Sequence, residues 1–234
     1  MKRILVLLAL AALLVTPSLA PAADQIGVYV APRLVYGHTL MDGVNANLWD
    51  GYANNKLSVG KQTDSALSGA LAVGYDFSKQ LQIPIRAELE YSLFSNVTGK
   101  GAAYFAGIDM NLRIKQRIQS LFMNVYHDIN TGTALTPYVG AGFGMAFIGA
   151  EGSGYSGAMQ YSASAGSYTL TSFAWNLGAG AGYRLTDNIG VDLGYRFASL
   201  GKAKTKANQG FLETNGETED IYMHQVMLGM RVTF

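Results

Sequence analysis

Apolar and polar residues alternate along eight segments of the chain, the pattern of β-strands whose two faces meet different surroundings. The last segment shows this most clearly. Counting back from Phe234, every second residue is apolar or amphipathic, whereas Arg231 and Gly229 belong to the intervening set. The eight predicted strands cover residues 28–36, 66–77, 83–94, 118–128, 137–148, 173–185, 189–200 and 221–234.

The connections between these strands alternate in length. Residues 78–82, 129–134 and 186–188 form short connections after the second, fourth and sixth strands, whereas the other connections are long. An even number of strands with short periplasmic turns and long outer loops is typical of outer-membrane barrels. The sequence therefore predicts an all-β fold, an eight-stranded antiparallel transmembrane up-and-down barrel with four long extracellular loops.

The two faces of the predicted strands differ in bulk and in charge. Large apolar residues occupy one face, and charged residues share the other with glycines such as Gly140, Gly142 and Gly144. A soluble barrel would enclose the apolar face, but small and charged residues suit the narrow lumen of an eight-stranded membrane barrel. The apolar face is therefore predicted to contact lipid.

We expect the charges of the lumen face to form ion pairs that plug the barrel, because buried charges must be paired or solvated. The predicted network consists of Arg33, Asp76, Arg86, Glu88, Glu90, Asp128, Arg184, Asp192, Arg196 and Arg231. A narrow, gated ion path through the same charges is the alternative interpretation.

Aromatic residues fall near both ends of the predicted strands. The outer set contains Tyr36, Phe147, Trp175, Phe197 and Tyr222, and the periplasmic set contains Tyr75, Phe77, Tyr183 and Phe234. Aromatic rings concentrate at the two interfaces of a membrane. We therefore predict two aromatic belts that anchor the barrel.

The N-terminal sequence indicates that the protein is exported, and the composition excludes several kinds of site. Residues 1–22 have the features of a secretory signal peptide: Lys2 and Arg3 precede an apolar run, and small residues precede the cleavage point. That run is too short to span a bilayer. Residues 23–234 are expected to form one barrel domain. The chain has no cysteine, so it has neither disulfides nor thiolate metal sites, and its net charge of +1 argues against nucleic-acid binding.

The sequence gives little support for catalytic activity. Glu88 and Glu90 are paired carboxylates of the kind that glycoside hydrolases use, but so narrow a barrel has no cleft for a sugar. A lipid A-modifying barrel would need a histidine with a serine or an aspartate, and His38 with Asp42 is the nearest approach to such a pair. We predict a non-enzymatic protein with no catalytic residue, no metal and no cofactor.

The outer loops are where function is expected. Trp49 and Tyr52 in the first loop are candidate adhesive anchors, or they pack the loop onto the barrel rim. Residues 149–167, rich in Gly, Ser, Ala and Tyr, are interpreted as a flexible third loop. The fourth loop has lysines on one arm and acidic residues on the other, which predicts a hairpin beyond the membrane.

One basic pattern favours a contact with lipid. Arg113, Lys115 and Arg117 alternate on the face that continues into Leu121 and Met123, the predicted lipid face. Cations just above the outer aromatic belt would meet the phosphates of lipopolysaccharide. We therefore predict a lipopolysaccharide contact at these three residues.

Three stretches carry a family resemblance: residues 84–91 (PIRAELEY), 136–144 (TPYVGAGFG) and 183–197 (YRLTDNIGVDLGYRF). They resemble the opacity-type family of small eight-stranded outer-membrane β-barrels, and the similarity covers essentially the mature chain. The resemblance implies a surface-antigen or adhesin role, with a host or matrix ligand bound by the loops. It also implies that Phe234 is read by the barrel assembly machinery. A gated, porin-like channel and a lipid A-modifying enzyme stay open as alternatives.

Overall fold

The computed structural model describes residues 26–41, 44–49, 54–59, 62–105, 108–156, 161–164, 168–201, 204–209, 212–218 and 220–234. Side chains are described in residues 26–40, 63–96, 117–149, 170–201 and 220–234. The predicted signal peptide, Asp42 and Tyr52 lie outside the described residues, and so does the side chain of Trp49. Within the described part, no helix is long and apolar enough to cross a membrane.

Strands account for nearly all of the described elements. They are β1 (Val28–Met41), β2 (Val44–Trp49), β3 (Asn54–Val59), β4 (Gln62–Asp76), β5 (Ile85–Phe94), β6 (Val97–Phe105), β7 (Ile108–Asp128), β8 (Leu135–Ser156), β9 (Tyr161–Ser164), β10 (Tyr168–Arg184), β11 (Ile189–Ser199), β12 (Lys204–Gln209), β13 (Leu212–Thr218) and β14 (Ile221–Thr233). A four-residue helix, α1 (Ser78–Leu81), lies in the turn between β4 and β5.

Eight of these strands close into an antiparallel barrel. Their order around the ring is β1, β4, β5, β7, β8, β10, β11 and β14, and β14 returns to pair with β1. Tyr29 lies opposite Thr233 at one end of this closing pair, and Met41 lies opposite Ile221 at the other. Each predicted strand corresponds to one barrel strand, so the predicted eight-stranded antiparallel barrel is confirmed.

The predicted faces are also confirmed. Leu193 and Leu228 are 60 % and 58 % exposed, whereas Arg196 and Glu90 on the opposite face are 1 % and 0 % exposed. The barrel therefore turns its large apolar side chains outward and its charges inward, as a barrel surrounded by lipid requires.

The strands extend further outward than the sequence predicts. β1 continues to Met41, β7 begins at Ile108 and β8 continues to Ser156. The interpretation of 149–167 as a loop is wrong for residues 149–156 and for β9, which pairs with the end of β8. Above a membrane both faces of a strand meet water, so the apolar alternation ends while the backbone hydrogen-bond ladder continues.

Four further strands form a second sheet, here called the outer sheet, in the order β12, β13, β2 and β3. The predicted hairpin of the fourth loop is present as β12 and β13, with Lys204 opposite Glu217. Its strand β13 also pairs with β2 of the first loop, where Asn215 lies opposite Asn47. The first and fourth loops are therefore joined in one sheet.

Candidate functional site

The middle of the lumen is built around one buried guanidinium. Arg33, from β1, donates through Nη1 to Glu88 Oε1 at 2.5 Å and through Nη2 to Glu88 Oε2 at 2.7 Å. The same Nη1 also donates to Glu90 Oε2. Glu88 and Glu90 share one face of β5 because side chains two apart in a strand point the same way. Arg33 thus bridges two carboxylates.

A second arginine balances this cluster. Arg196, from β11, places Nη2 2.7 Å from Glu90 Oε1 and donates through Nε to Gln225 Oε1 at 2.6 Å. Its guanidinium also lies over the ring of Phe122, 5.4 Å from the ring centre. Two arginines and two glutamates give a central cluster with no net charge.

Neutral donors complete the surroundings of Glu88. The hydroxyl of Tyr126 donates to Oε1 at 2.9 Å, and that of Tyr29 donates to Oε2 at 3.1 Å. Glycines make room for these rings: a Cβ at Gly140 would lie 2.3 Å from Cδ1 of Tyr126. The small residues of the lumen face therefore leave the volume that its large polar side chains fill.

The periplasmic half of the lumen holds separate pairs. Arg86 donates to both oxygens of Asp128, through Nε at 2.7 Å and Nη2 at 2.8 Å. Its guanidinium lies 5.1 Å from the ring centres of Tyr126 and Tyr138. Arg231 lies 3.7 Å from Asp192. Both ion pairs join strands that are paired in the barrel, β5 with β7 and β11 with β14.

Two predicted members of the network lie at its edge. Asp76 accepts from the backbone N–H and the hydroxyl of Ser78, at 2.9 and 2.6 Å, and so fixes the turn that contains α1. Arg184 is exposed at the periplasmic mouth, where it helps to line a pocket of about 530 Å³. This pocket is a polar cavity at the periplasmic end of the lumen, and Asp128 and Arg231 of the ion pairs also line it.

An apolar layer, which the sequence analysis did not identify, fills the outer half of the lumen. Its buried members include Phe94, Ile118, Phe122, Ile148, Leu200, Ile221, Met223 and Met227. Phe122 shares its strand face with Asn124, so alternation alone marks it as inward-facing. The described lumen therefore contains ion pairs in its middle and periplasmic half and buried apolar side chains in its outer half.

The pairing and burial of the lumen charges bear on whether they could act in catalysis. Each carboxylate of Glu88 and Glu90 lies within ion-pair distance of an arginine, and both residues are buried. General acid–base or nucleophilic chemistry requires a carboxylate that a substrate can reach. The central carboxylates are buried and are held by arginines from other strands.

Three of the predicted outer aromatic residues pack together on the outside of the barrel. The ring centre of Phe197 lies 5.9 Å from that of Trp175 and 5.6 Å from that of Tyr222. Tyr36 is exposed on β1, and Phe147 is half-buried on β8. Phe173, 66 % exposed, is a further outward ring that the sequence analysis did not include.

The predicted periplasmic aromatic residues lie at the opposite end. The rings of Tyr75 and Phe77 pack edge to face, 4.8 Å apart. Tyr183 and Phe234 are exposed. The backbone of Phe234 is tied to β1 by the bond from its N–H to Val28 O at 2.8 Å.

The basic residues predicted to contact lipopolysaccharide lie on the outer half of β7. Arg113, Lys115 and Arg117 pair across the ladder with Ser153, Glu151 and Gly149 of β8. Arg117 is exposed, and the side chains of the other two lie outside the described residues. The lipopolysaccharide contact of these residues remains a prediction.

Hydroxyl–imidazole contacts on the outer surface form a further group that the sequence analysis missed. The hydroxyl of Ser65 lies 3.1 Å from His38 Nδ1, and that of Tyr195 lies 2.6 Å from His224 Nδ1. Ser65 and His38 are far apart in sequence and meet only through the pairing of β1 with β4. No motif in the sequence could have signalled this contact.

Comparison with known proteins indicates one family for this chain. The family model for the outer membrane protein beta-barrel domain matches residues 6–234. The outer membrane protein PagN of Salmonella typhimurium is 29 % identical over 198 residues, 81 % of each chain. A putative adhesin of Rickettsia canadensis is 26 % identical over 167 residues, 70 % of this chain and 72 % of the relative.

Among solved structures, the outer membrane protein OprG of Pseudomonas aeruginosa superimposes with a TM-score of 0.53 at 15 % identity. The match covers 89 % of this chain and 97 % of OprG, and it supports the fold. Together with the outward apolar face and the buried charges, the family match places the protein in the bacterial outer membrane. The chain belongs to the family of outer-membrane β-barrel proteins.

Proposed function

We propose that the protein is a non-enzymatic surface protein that contributes to envelope structure and to recognition or adhesion, with the barrel as a closed anchor. The observation that carries this proposal is the outer sheet, in which the hairpin β2–β3 and the hairpin β12–β13 are joined by the pairing of β13 with β2. A sheet that combines two loops presents a broader and better-ordered surface than either loop alone. The related putative adhesin supports the same role.

The lumen supports an anchor rather than a channel. The central ion pairs are balanced and buried, and an apolar layer closes the space above them. An ion would have to displace a guanidinium and then cross close-packed apolar side chains, both of which are costly. The described contacts therefore disfavour the gated channel that the sequence left open.

The same contacts disfavour enzymatic activity in the lumen. We test this by measuring the mass of lipid A from cells with and without the protein. Unchanged lipid A supports a non-enzymatic role, whereas loss or gain of an acyl or phosphate group would support the lipid A-modifying alternative.

Pairing between the loops is tested with introduced cysteines, because the chain has none of its own. Asn47→Cys with Asn215→Cys places thiols on directly paired positions, at a spacing that a disulfide bridges. The matched control is Asn55→Cys with Asn215→Cys, whose strands β3 and β13 are separated by β2. Oxidation on intact cells should cross-link the first pair and not the second.

Recognition is tested on cells that display the protein. Replacing residues 204–217 with a short Gly-Ser linker removes one arm of the outer sheet and should abolish binding to host cells or extracellular matrix. Replacing β9, residues 161–164, with a Gly-Ser sequence of equal length is the control and should leave binding intact, because β9 pairs with β8 and is not part of the outer sheet. Equal binding by both variants at equal surface levels would contradict the proposal.

Three further parts of the proposal concern targeting and anchoring. Residues 1–22 act as a cleaved signal peptide that leaves a barrel domain at 23–234, which N-terminal sequencing of the protein from outer membranes tests. The two aromatic sets act as belts, which depth-dependent fluorescence quenching of Trp175 in a Trp49→Phe variant tests. The Arg113, Lys115 and Arg117 contact is tested by replacing all three with alanine and measuring co-purified lipopolysaccharide.

A further inference from the structure

Two histidines lie side by side on the outer surface, at the seam where the barrel closes. His38 of β1 is directly opposite His224 of β14 in the strand register. Their neighbours on the same strand faces, Tyr36 and Val226, are 49 % exposed, which marks this as the lipid-facing side. Side chains directly opposite in an antiparallel pair are within contact distance, so the two imidazoles form one surface feature.

Each imidazole is oriented by a hydroxyl on a neighbouring strand. Tyr36 donates to Ser65 Oγ at 3.0 Å, and Ser65 Oγ lies 3.1 Å from His38 Nδ1. The hydroxyl oxygen of Tyr195 lies 2.6 Å from His224 Nδ1. A neutral imidazole whose Nδ1 accepts a hydrogen bond carries its proton on Nε2. We infer that both hydroxyls donate to Nδ1, which makes Nε2 the donor nitrogen of both rings.

The pair lies in the outer part of the lipid-facing band, one outward-facing position below Leu40 and Tyr222. Its side toward the periplasm is apolar, with Leu34 and Leu228 43 % and 58 % exposed, and β1 ends three residues later at Met41. A transmembrane strand needs about 9–11 residues to cross the hydrocarbon core, which places His38 near the outer boundary of that core. Aromatic rings surround the pair, since Phe197 lies 5.3 Å from the ring centre of His224 and stacks on Tyr222. Such rings favour the headgroup level of a membrane.

The contact between Ser65 and His38 also has the geometry of a nucleophile and its base. In a hydrolase, a carboxylate would orient the far side of the imidazole. Here the neighbour on the far side is His224, and Asp64 Oδ1 accepts from the backbone N–H of Ser65 at 2.8 Å. We interpret this arrangement as one that orients the two imidazoles for binding.

We propose that His38 and His224 form a binding site for a phosphate group of lipid A, the outer-leaflet lipid of the membrane in which the barrel sits. Two N–H donors fixed at headgroup level match the oxygens of one phosphate, and hydrogen bonds to an ionised acceptor are the strong ones. The aromatic rings would pack against the sugar and the first part of the acyl chains. The site is distinct from Arg113, Lys115 and Arg117, which lie on β7.

The experiment titrates lipid A bearing its two phosphates into the folded protein in detergent micelles and counts bound lipid by native mass spectrometry. His38→Phe with His224→Phe keeps the aromatic bulk and removes both donors, and it should weaken binding at least about tenfold. The matched control is His127→Phe, because His127 is an exposed histidine near the other end of the same outer surface. It should leave binding unchanged.

Further arms make the outcome decisive. Dephosphorylated lipid A should bind the wild-type protein as weakly as lipid A binds the double variant, and phosphatidylglycerol should bind more weakly than lipid A. Equal binding of lipid A by the wild type and the double variant would overturn the site, as would equal binding of dephosphorylated lipid A. Equal binding of phosphatidylglycerol would overturn the assignment to lipid A.

Two milder variants guard against misfolding of the double variant. Tyr195→Phe and Ser65→Ala each remove one orienting hydroxyl and keep both histidines. Each should weaken lipid A binding severalfold while the electrophoretic mobility of the folded barrel is unchanged. Folded variants that bind lipid A as tightly as the wild type would refute the proposed orientation of the donors.

Discussion

Replacing Arg33 by methionine is expected to destabilise the barrel more than any exposed substitution, because Arg33 neutralises two carboxylates at once. The side chain of Arg33 is 7 % exposed, and those of Glu88 and Glu90 are 0 % exposed. Arg33→Met removes the two-pronged contact with Glu88 and the contact with Glu90. Arg196 is then the remaining cation of the central cluster, whose net charge changes from zero to −1.

The magnitude follows from the charge that is left without a partner. Removing one member of a buried ion pair typically costs about 3–5 kcal/mol. Tyr126 and Tyr29 still donate to Glu88, so the loss should be near the lower end, about 3 kcal/mol. The double variant Arg33→Met with Glu88→Gln removes a positive and a negative charge together. It restores neutrality and should regain at least half of the lost free energy of unfolding.

The assay is equilibrium unfolding of the protein in lipid vesicles by urea, followed by tryptophan fluorescence and extrapolated to zero denaturant. Arg184→Met is the control, because Arg184 is exposed at the periplasmic mouth; it should leave the free energy of unfolding unchanged within error. A loss below about 1 kcal/mol for Arg33→Met would refute the reasoning, since no buried pair would then depend on Arg33. Strictly additive effects in the double variant would refute the pairing itself.

Three further predictions probe packing, sealing and assembly. Gly140→Ala brings a Cβ to 2.3 Å from the ring of Tyr126 and should lower the free energy of unfolding by about 1–3 kcal/mol, whereas Gly190→Ala, whose Cβ would have its nearest neighbour at 3.4 Å, should be tolerated. The folded wild-type protein should give no conductance steps in planar bilayers under conditions where a porin does; reproducible steps would mean that the ion pairs or the apolar layer open. Phe234→Ala should reduce the amount of barrel assembled in the outer membrane while refolding into detergent stays unchanged, and Phe173→Ala, a more exposed aromatic residue on the lipid face, should not. A parallel loss of refolding yield would assign Phe234 to stability instead of assembly.

Side-chain alternation predicts the barrel and the direction of its faces because the period of a strand is two residues, and a slip of one residue would turn every charge outward. The same alternation does not report depth. Phe122 and Asn124 have the same parity, yet one packs in the apolar layer and the other donates to Glu88 at 3.4 Å. Depth depends on the stagger between strands, which closure of the barrel sets.

The partners in the central ion pairs could not be predicted from the sequence for a related reason. Arg33 on β1 and Glu88 on β5 are separated in the ring by β4, so they meet across the lumen and not along a ladder. By contrast, Lys204 and Glu217 meet within a hairpin, and the opposite charges on its arms were enough to predict it. Local pairings can be predicted from a pattern of charges, whereas contacts across a lumen require the closed structure.

Closure explains why both proposed surfaces lie on one side of the barrel. β1 leads into β2 and β13 leads into β14, and β1 and β14 are neighbours because the ring closes there. The first and fourth loops, which lie at opposite ends of the chain, are thereby brought together and can share the outer sheet. His38 and His224 lie on the same two strands, just below that sheet, and are adjacent for the same reason. A lipid A molecule held by the two histidines would therefore stand directly beneath the recognition surface. Binding lipid A should then restrict the motion of the outer sheet, and loss of the histidines should make the cross-link between Asn47→Cys and Asn215→Cys form more slowly on cells.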